Sequence, residues 1–366
     1  MTAKIRTYLA HWTVYVPIVA VATLILTWGR DLPPPVVIIV SALLAGAVLA
    51  AVHHAEVVAH KVGEPYGSLV LAVAVTIIEV ALIVTLMISG GDQTQTLARD
   101  TVFAAVMITC NGILGLSLLA GAVRRRIAVF NPEGTGGALA AVATIAGLSM
   151  VLPTFTTSRS GPEFSPAQLA FAAVCSLGLY LLFVAVQTRR HRDYFLPITT
   201  AGKVIDDEDH ADPPTARAAL TSLGLLLVAL LAVVGLAKGI SPAIESAVAD
   251  AGLPQSVVGV VIALLVLLPE TIAALRAAVR DRIQTSLNLA LGSAMASIGL
   301  TIPTIAVAMI WLDGPLVLGL GGTQMVLLAL TVVVGTLTVV PGRANVLQGG
   351  IHLGLLAAFL FLATNP

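Results

Sequence analysis

Charge is scarce in this sequence. Asp, Glu, Lys and Arg make up 10% of 366 residues, against roughly a quarter in an ordinary soluble domain. So little polar side chain cannot clothe a water-facing surface at this length, which excludes a soluble globular protein. The net charge is zero, so no basic field draws the chain to nucleic acid. There are two cysteines, Cys110 and Cys175, both inside apolar runs. They supply neither a disulfide framework nor metal-ligand spacing and read as plain buried thiols. Paired Asp, a Ser–His pair or HExxH, the signatures of intramembrane proteolysis, are missing at any usable spacing. The chain is therefore not read as an enzyme, and no cofactor is implied.

What is present is apolar: 58% hydrophobic residues and a mean hydropathy of +1.00. A helix needs about 20 apolar residues to cross a bilayer. Eleven such runs occur, at 13–29, 35–52, 67–89, 100–121, 135–153, 166–188, 216–237, 255–275, 284–311, 323–340 and 345–363. The fold class is an all-α polytopic membrane protein with about eleven transmembrane helices. Lys4 and Arg6 precede the first run, but no small-residue cleavage site clearly follows it, so it reads as a retained helix rather than a signal peptide. With the N-terminus in the cytoplasm and alternating spans, fifteen of the nineteen Lys and Arg residues fall inside, and Arg30, Arg99, Arg159 and Lys238 fall outside. That bias supports the span count and places the C-terminus outside. The longest gap, 189–215, contains IDDEDHADPP. It reads as a solvated cytoplasmic linker, or as an acidic cluster gathering cations near a pore mouth.

Nineteen residues are acidic, and seventeen of them lie in loops or at helix ends. Glu79 and Glu270 lie deep inside the third and eighth spans. A carboxylate at mid-bilayer costs about 2.5–3.5 kcal/mol on insertion scales. Each is either a protonated Glu bonded to a neighbouring helix or part of an ion or proton site. Their surroundings match. Arg99-Asp100 follows Glu79 and Arg280-Asp281 follows Glu270, and 11 residues further on come Asn111 and Gly292, each in a small-residue stretch. Ser68 and Gly259 each lie 11 residues upstream of the acids. This is a diverged internal repeat. The two acid-bearing helices run in opposite directions, so the halves are inverted. Residues 1–30 form an extra N-terminal helix, 31–190 the first five-helix repeat, 191–215 the linker and 216–366 the second repeat. Inverted repeats place a substrate site near the midplane, where Glu79 and Glu270 would face each other. Pro269 removes a backbone donor beside Glu270 and frees a carbonyl one turn earlier; Pro303 does likewise or simply kinks its helix.

Other polar residues carry two readings each. Thr76 places a hydroxyl one turn before Glu79. Asn111, Gly112, Asn288, Ser293 and Ser297 either line the site or serve helix association, since small and hydroxyl residues do both. His54, Glu56 and His60 are a proton-uptake or pH-sensing cluster, or ordinary polar groups at a helix end. Glu64 is a proton-uptake acid or a loop anchor. His352 and Asn345 read as structural.

Three stretches resemble a known family. HAEVVAHKVGEPYGSLVLAVAVTIIE (54–79), PETIAALRAAVRDRIQTSLNLALGS (269–293) and GRANVLQGGIHL (342–353) resemble the calcium/proton antiporters of the calcium/cation antiporter superfamily, in particular their bacterial sodium/potassium/calcium:proton branch. The resemblance covers nearly the whole chain. It implies an eleven-helix fold, paired site glutamates at Glu79 and Glu270, transport of Ca²⁺, Na⁺ or K⁺ against H⁺, and a bacterial inner membrane as the location. The superfamily's Gly-Asn pair is replaced here by Val75-Thr76 and Val266-Leu267. That leaves an oxygen-poor site, whereas Ca²⁺ prefers six to eight oxygens. Sodium, potassium and loosely held calcium all stay open. A cation channel of the same fold is the alternative, and the expected partners are the lipid bilayer, inorganic cations and protons.

Overall fold

The computed structural model describes residues 12–30, 32–63, 66–89, 95–198, 214–312 and 314–366. Glu64 and most of the acidic linker lie outside the described residues. Eleven helices stand where the apolar runs predict them. They are α1 (Trp12–Thr27), α2 (Pro34–Val62), α3 (Tyr66–Ser89), α4 (Leu97–Arg125), α5 (Pro132–Thr154), α6 (Pro166–Arg190), α7 (Ala216–Asp250), α8 in two halves (α8a Ser256–Val266, α8b Leu268–Val279), α9 (Ile283–Ala308), α10 (Gly322–Val339) and α11 (Val346–Thr364). Among the described residues nine are long and apolar enough to cross a membrane, and α8 makes ten if its bent halves are one span. The 16 residues of α1 give about 24 Å of helix, short of a ~30 Å hydrocarbon core.

Cap chemistry sets several starts. Ser165 and Gln168 form a capping box ahead of Pro166, and Asn345 and Gln348 do the same for α11. Asn131 caps α5 through the Glu133 N–H, with Pro132 in the first turn. Side-chain oxygens thus satisfy amides that the helix itself leaves without acceptors.

Two helices outrun their apolar runs. α2 continues to Val62 and α7 to Asp250, instead of ending near 52 and 237. The segments HHAEVVAHKV and KGISPAIESAVAD leave the hydropathy signal; the first keeps helix-compatible residues, and the second stays helical through Pro242. With 29 and 35 residues, these helices measure about 44 and 52 Å.

The chain forms two compact units: residues 1–94 with 210–258, and residues 95–209 with 259–366. Each therefore draws on both repeats. In the first unit α2 packs on α1, α3 and α7. Its buried face includes four alanines, Ala47, Ala50, Ala51 and Ala55, beside Val40, Leu44, Val48 and Val52. Across α1 and α7, a Cβ on Gly235 would collide with Leu24. Small residues let backbones approach where lipid offers no hydrophobic drive to association.

The second unit is built around α4, whose apolar window is 89% buried, more than any other span. Two antiparallel bridges hold the unit at opposite ends of its helices. β1 (Ala128–Val129), before α5, pairs with β2 (Arg343–Ala344), before α11. Glu163, before α6, pairs with Val317, before α10. Exchanging α4–α6 for α9–α11 converts one bridge into the other. The same exchange converts the α4–α11 contact into the α9–α6 contact. The unit thus has the inverted two-fold plan expected of the repeat.

Candidate functional site

Glu270 sits where α8 breaks. α8a ends at Val266, α8b starts at Leu268, and the halves are bent by 51°. Pro269 explains the break, because it offers no N–H to the carbonyl of Leu265. Glu270 occupies the first turn of α8b and is half-buried. A helix N-terminus carries amides without intrahelical acceptors and a partial positive charge, both favourable to a carboxylate. Thr271 Oγ donates to the carbonyl of Leu267 at 2.7 Å, tying the break together.

α8b packs on the second half of α4 and on α9. Ser286 on α9 lies at the junction, its Oγ 2.7 Å from the Ala274 carbonyl and 2.6 Å from Ser117 Oγ on α4. Ser117 in turn donates to Ile113 O at 2.6 Å. Nine residues of α8b and ten of α9, at 1.5 Å each, put Glu270 and Ser293 at about the same depth on these antiparallel neighbours. Ser293 is half-buried, and Ser297, a turn further on, is buried.

α4 is irregular where the small residues lie. Ile108–Ile113, sequence ITCNGI, is a π-helical segment. Such bulges inside α-helices frequently accompany function. Asn111 within it is fully buried. Its Nδ2 donates to Thr331 Oγ1 on α10 at 2.9 Å, and its Oδ1 lies 3.1 Å from His352 Nδ1 on α11. His352 Nε2 lies 3.2 Å from Thr338 Oγ1. Both ends of the Asn111 amide are therefore engaged toward α10 and α11. Gly112 also faces α11, where a Cβ would meet Leu356 at 3.1 Å.

Asn288 belongs to a different cluster. Its Nδ2 donates to Phe195 O at 2.6 Å, and its Oδ1 accepts from Gln284 at 2.8 Å. Gln284 Oε1 accepts from the Asn131 N–H at 2.6 Å. This network latches the start of α9 to the start of α5 and to the segment after α6.

In the first unit, Glu79 lies in an unbroken α3 and is buried, as is Thr76 one turn earlier. His54 is buried 3.2 Å from Ser222 Oγ on α7 and 2.9 Å from the Thr13 carbonyl on α1. Glu56 and His60, its sequence neighbours, are exposed, so the three do not form one cluster. Among the described residues no group of three or more His, Cys, Asp or Glu could hold a metal ion. A cation here would draw on carboxylates together with hydroxyls, backbone carbonyls or water. Reading the sequence did not single out Ser117, Ser286, Gln284, Thr331 or Thr338. Their one signal was polarity within apolar runs, which ordinary helix association also produces.

Residues 18–189 and 221–365 match the family described as sodium/calcium exchanger protein. The chain is 45% identical to the y4hA protein of Sinorhizobium fredii, with 100% of both chains covered. It is 33% identical to the sodium-potassium/proton antiporter ChaA of Escherichia coli, covering 94% of this chain and 93% of that one. The solved structure of native YfkE matches with a TM-score of 0.71 at 15% identity, covering 97% of this chain and 99% of that one. The H⁺/Ca²⁺ exchanger CAX matches with a TM-score of 0.70 at 16% identity, covering 95% and 87%. At such identities the two structures speak to the fold. The family match and the ChaA relationship both span nearly the whole chain, and the chain belongs to the sodium/calcium exchanger family of integral membrane transporters.

Proposed function

We propose that the protein is a secondary active transporter exchanging Na⁺, K⁺ or Ca²⁺ for protons by alternating access, with Glu79 and Glu270 as the acids for which cation and proton compete. The observation that carries this reading is the broken α8, which sets Glu270 on the first turn of a half-helix whose other charged residue, Arg276, lies in its last turn. Interrupted helices at membrane depth are tolerated where they line a cavity, and they recur at transporter ion sites. Family membership supports exchange as the class of activity. The name of the ChaA relative supports the proton as counter-ion, and that of CAX supports calcium among the cations. The sparse oxygen set around Val75-Thr76 and Val266-Leu267 suits a monovalent cation or loosely held calcium.

An ionised carboxylate at membrane depth is costly without a counter-charge. A bound cation favours the ionised forms and releases protons, and protonation expels the cation. Exchange follows when the empty, doubly charged form does not change sides. The proton gradient then drives cation efflux.

The test is fluorescence dequenching in everted vesicles energised with a proton gradient, adding Na⁺, K⁺ and Ca²⁺ in turn. Glu79→Gln and Glu270→Gln are expected to abolish exchange with membrane insertion intact. The half-saturating cation concentration is expected to rise as pH falls, by about tenfold per pH unit for each proton displaced. Exchange at the wild-type rate in either variant would remove that residue from the mechanism. Cation currents with no proton movement would identify a channel instead.

A further inference from the structure

The arginine-rich end of the second unit contains a pocket that the exchange reaction does not use. It has a volume of about 240 Å³ and is lined by Arg124, Arg125, Arg280 and Asp281, with Gly121 and Ala278 among the small residues. Three guanidinium groups against one carboxylate leave it net positive. Arg124 is held by a hydrogen bond to the Val279 carbonyl. Arg125 pairs with Asp281 at 2.8 Å. Each guanidinium carries five N–H donors, so these contacts position the groups without exhausting them.

The backbone is shaped around this pocket. Arg126 and Asp281 are the positive-φ residues other than glycine among the described residues, both at φ 68°. L side chains adopt that conformation uncommonly, and both residues adjoin the pocket, one at the end of α4 and one in the α8–α9 turn. A Cβ on Gly121 would collide with Ile283, so α4 and α9 are held close beneath it. Arg282, the N-cap of the 26-residue α9, makes no side-chain cap hydrogen bond. The first-turn amides of α9 therefore add a partial positive charge to the same end.

Arginines at helix C-termini ordinarily complement the terminal carbonyls, and Arg124 does so. That role does not account for three arginines lining one cavity beside a helix N-terminus. The apolar surface nearby decides what fills it. Val279 of the lining is 43% exposed, and Val123 and Ile127, which flank Arg124–Arg126 in sequence, are 67% and 45% exposed, apolar surface suited to acyl chains rather than to water. Basic pockets at the ends of transmembrane helices recognise phospholipid headgroups. We propose that this pocket binds the headgroup phosphate of an anionic phospholipid, with the acyl chains against Val123, Ile127 and Val279. The bound lipid braces α4, α8b and α9 at one end, the helices that carry the π segment, Glu270 and Ser293.

The experiment titrates the purified full-length protein in detergent with phosphatidylglycerol, phosphatidylcholine or inorganic phosphate. Binding is read as the shift in melting midpoint and, independently, by native mass spectrometry. The wild type is expected to bind phosphatidylglycerol and to respond weakly to the other two. Arg280→Gln leaves the Arg124 and Arg125 contacts in place and is expected to weaken phosphatidylglycerol binding about fivefold. Arg124→Gln serves as a second, independent variant, and the double variant is expected to lose about 25-fold. Arg189→Gln, which removes the same charge at the end of α6, is expected to stay within about twofold of wild type. An equal loss in Arg189→Gln would overturn the pocket in favour of general charge attraction. Phosphate alone reproducing the full shift would replace the lipid with a free anion. Equal binding of phosphatidylcholine would remove the arginines from recognition.

Discussion

The buried chain Thr331–Asn111–His352–Thr338 allows a sharp energetic test. Asn111 Nδ2 donates to Thr331, which fixes its Oδ1 as the acceptor facing His352. His352 Nδ1 then carries the proton and donates to Asn111, while Nε2 accepts from Thr338. Asn111→Ala removes two interhelical hydrogen bonds. Bonds of this kind within a membrane protein contribute about 0.6 kcal/mol on average and about 1.7 at most, so the expected cost is about 1–3 kcal/mol. Relaxation favours the lower half of that range, because the ring can move its proton to Nε2 and donate to Thr338. His352→Leu removes the bonds to Asn111 and Thr338 and carries a similar cost. The double variant loses the shared Asn111–His352 bond only once. It should therefore fall short of additivity by about 0.6–1.7 kcal/mol. Reversible unfolding in mixed dodecyl sulfate and dodecyl maltoside micelles measures all four corners of the cycle. Additivity within about 0.3 kcal/mol would show that the two side chains do not share this bond and would refute the network.

Two further outcomes separate close approach from open space, and latch from ligand. A Cβ on Gly259 would lie 2.9 Å from the Thr101 nitrogen and 3.0 Å from the Asp100 carbonyl carbon, whereas a Cβ on Gly292 meets nothing within 4 Å. Backbone cannot yield as a side chain does, so Gly259→Ala should lower stability by about 1–3 kcal/mol. Gly292→Ala should raise it by up to about 1 kcal/mol through helix propensity. Equal melting midpoints for the two variants would refute the difference in surroundings. Asn288→Ala breaks the bonds to Phe195 and Gln284 and should cost about 1–2 kcal/mol with the half-saturating cation concentration unchanged. A raised half-saturation with unaltered melting would instead place Asn288 among the cation ligands.

The span pattern was legible because membrane burial writes itself into composition one residue at a time. Eleven apolar runs became eleven helices without any knowledge of their neighbours. Helix ends were less legible: His53 to Val62 lose apolar character without losing the capacity to be helical, and Lys238 to Asp250 stay helical past Pro242, which would have marked an end. The break in α8 was visible in Pro269. The π segment was not, because ITCNGI contains nothing that forbids a regular α-helix. Asn111 finds its partners 220 and 241 residues away. No local pattern announces such pairs, and the same Asn read equally well as a ligand or as helix glue. His54, Glu56 and His60 looked like one cluster because they are adjacent in sequence, yet their helix turns His54 inward and leaves the other two exposed.

The repeat was legible as an echo of residue types, while its geometry is less even than that echo. α3 carries Glu79 without interruption, and the mid-helix irregularity comes in the following helix, as a π segment. α8 carries Glu270 and is itself broken, and α9 after it runs on as one helix through Pro303. Each half thus opens the i→i−4 ladder in its acid-bearing helix or the helix after it, by a bulge in one case and by missing proline amides, at Pro269 and Pro303, in the other. Either defect changes which carbonyls are held within the helix and turns the side chains beyond it. The two halves need not use the same residue types to achieve this, so the inverted plan of the second unit persists while the defects differ in kind.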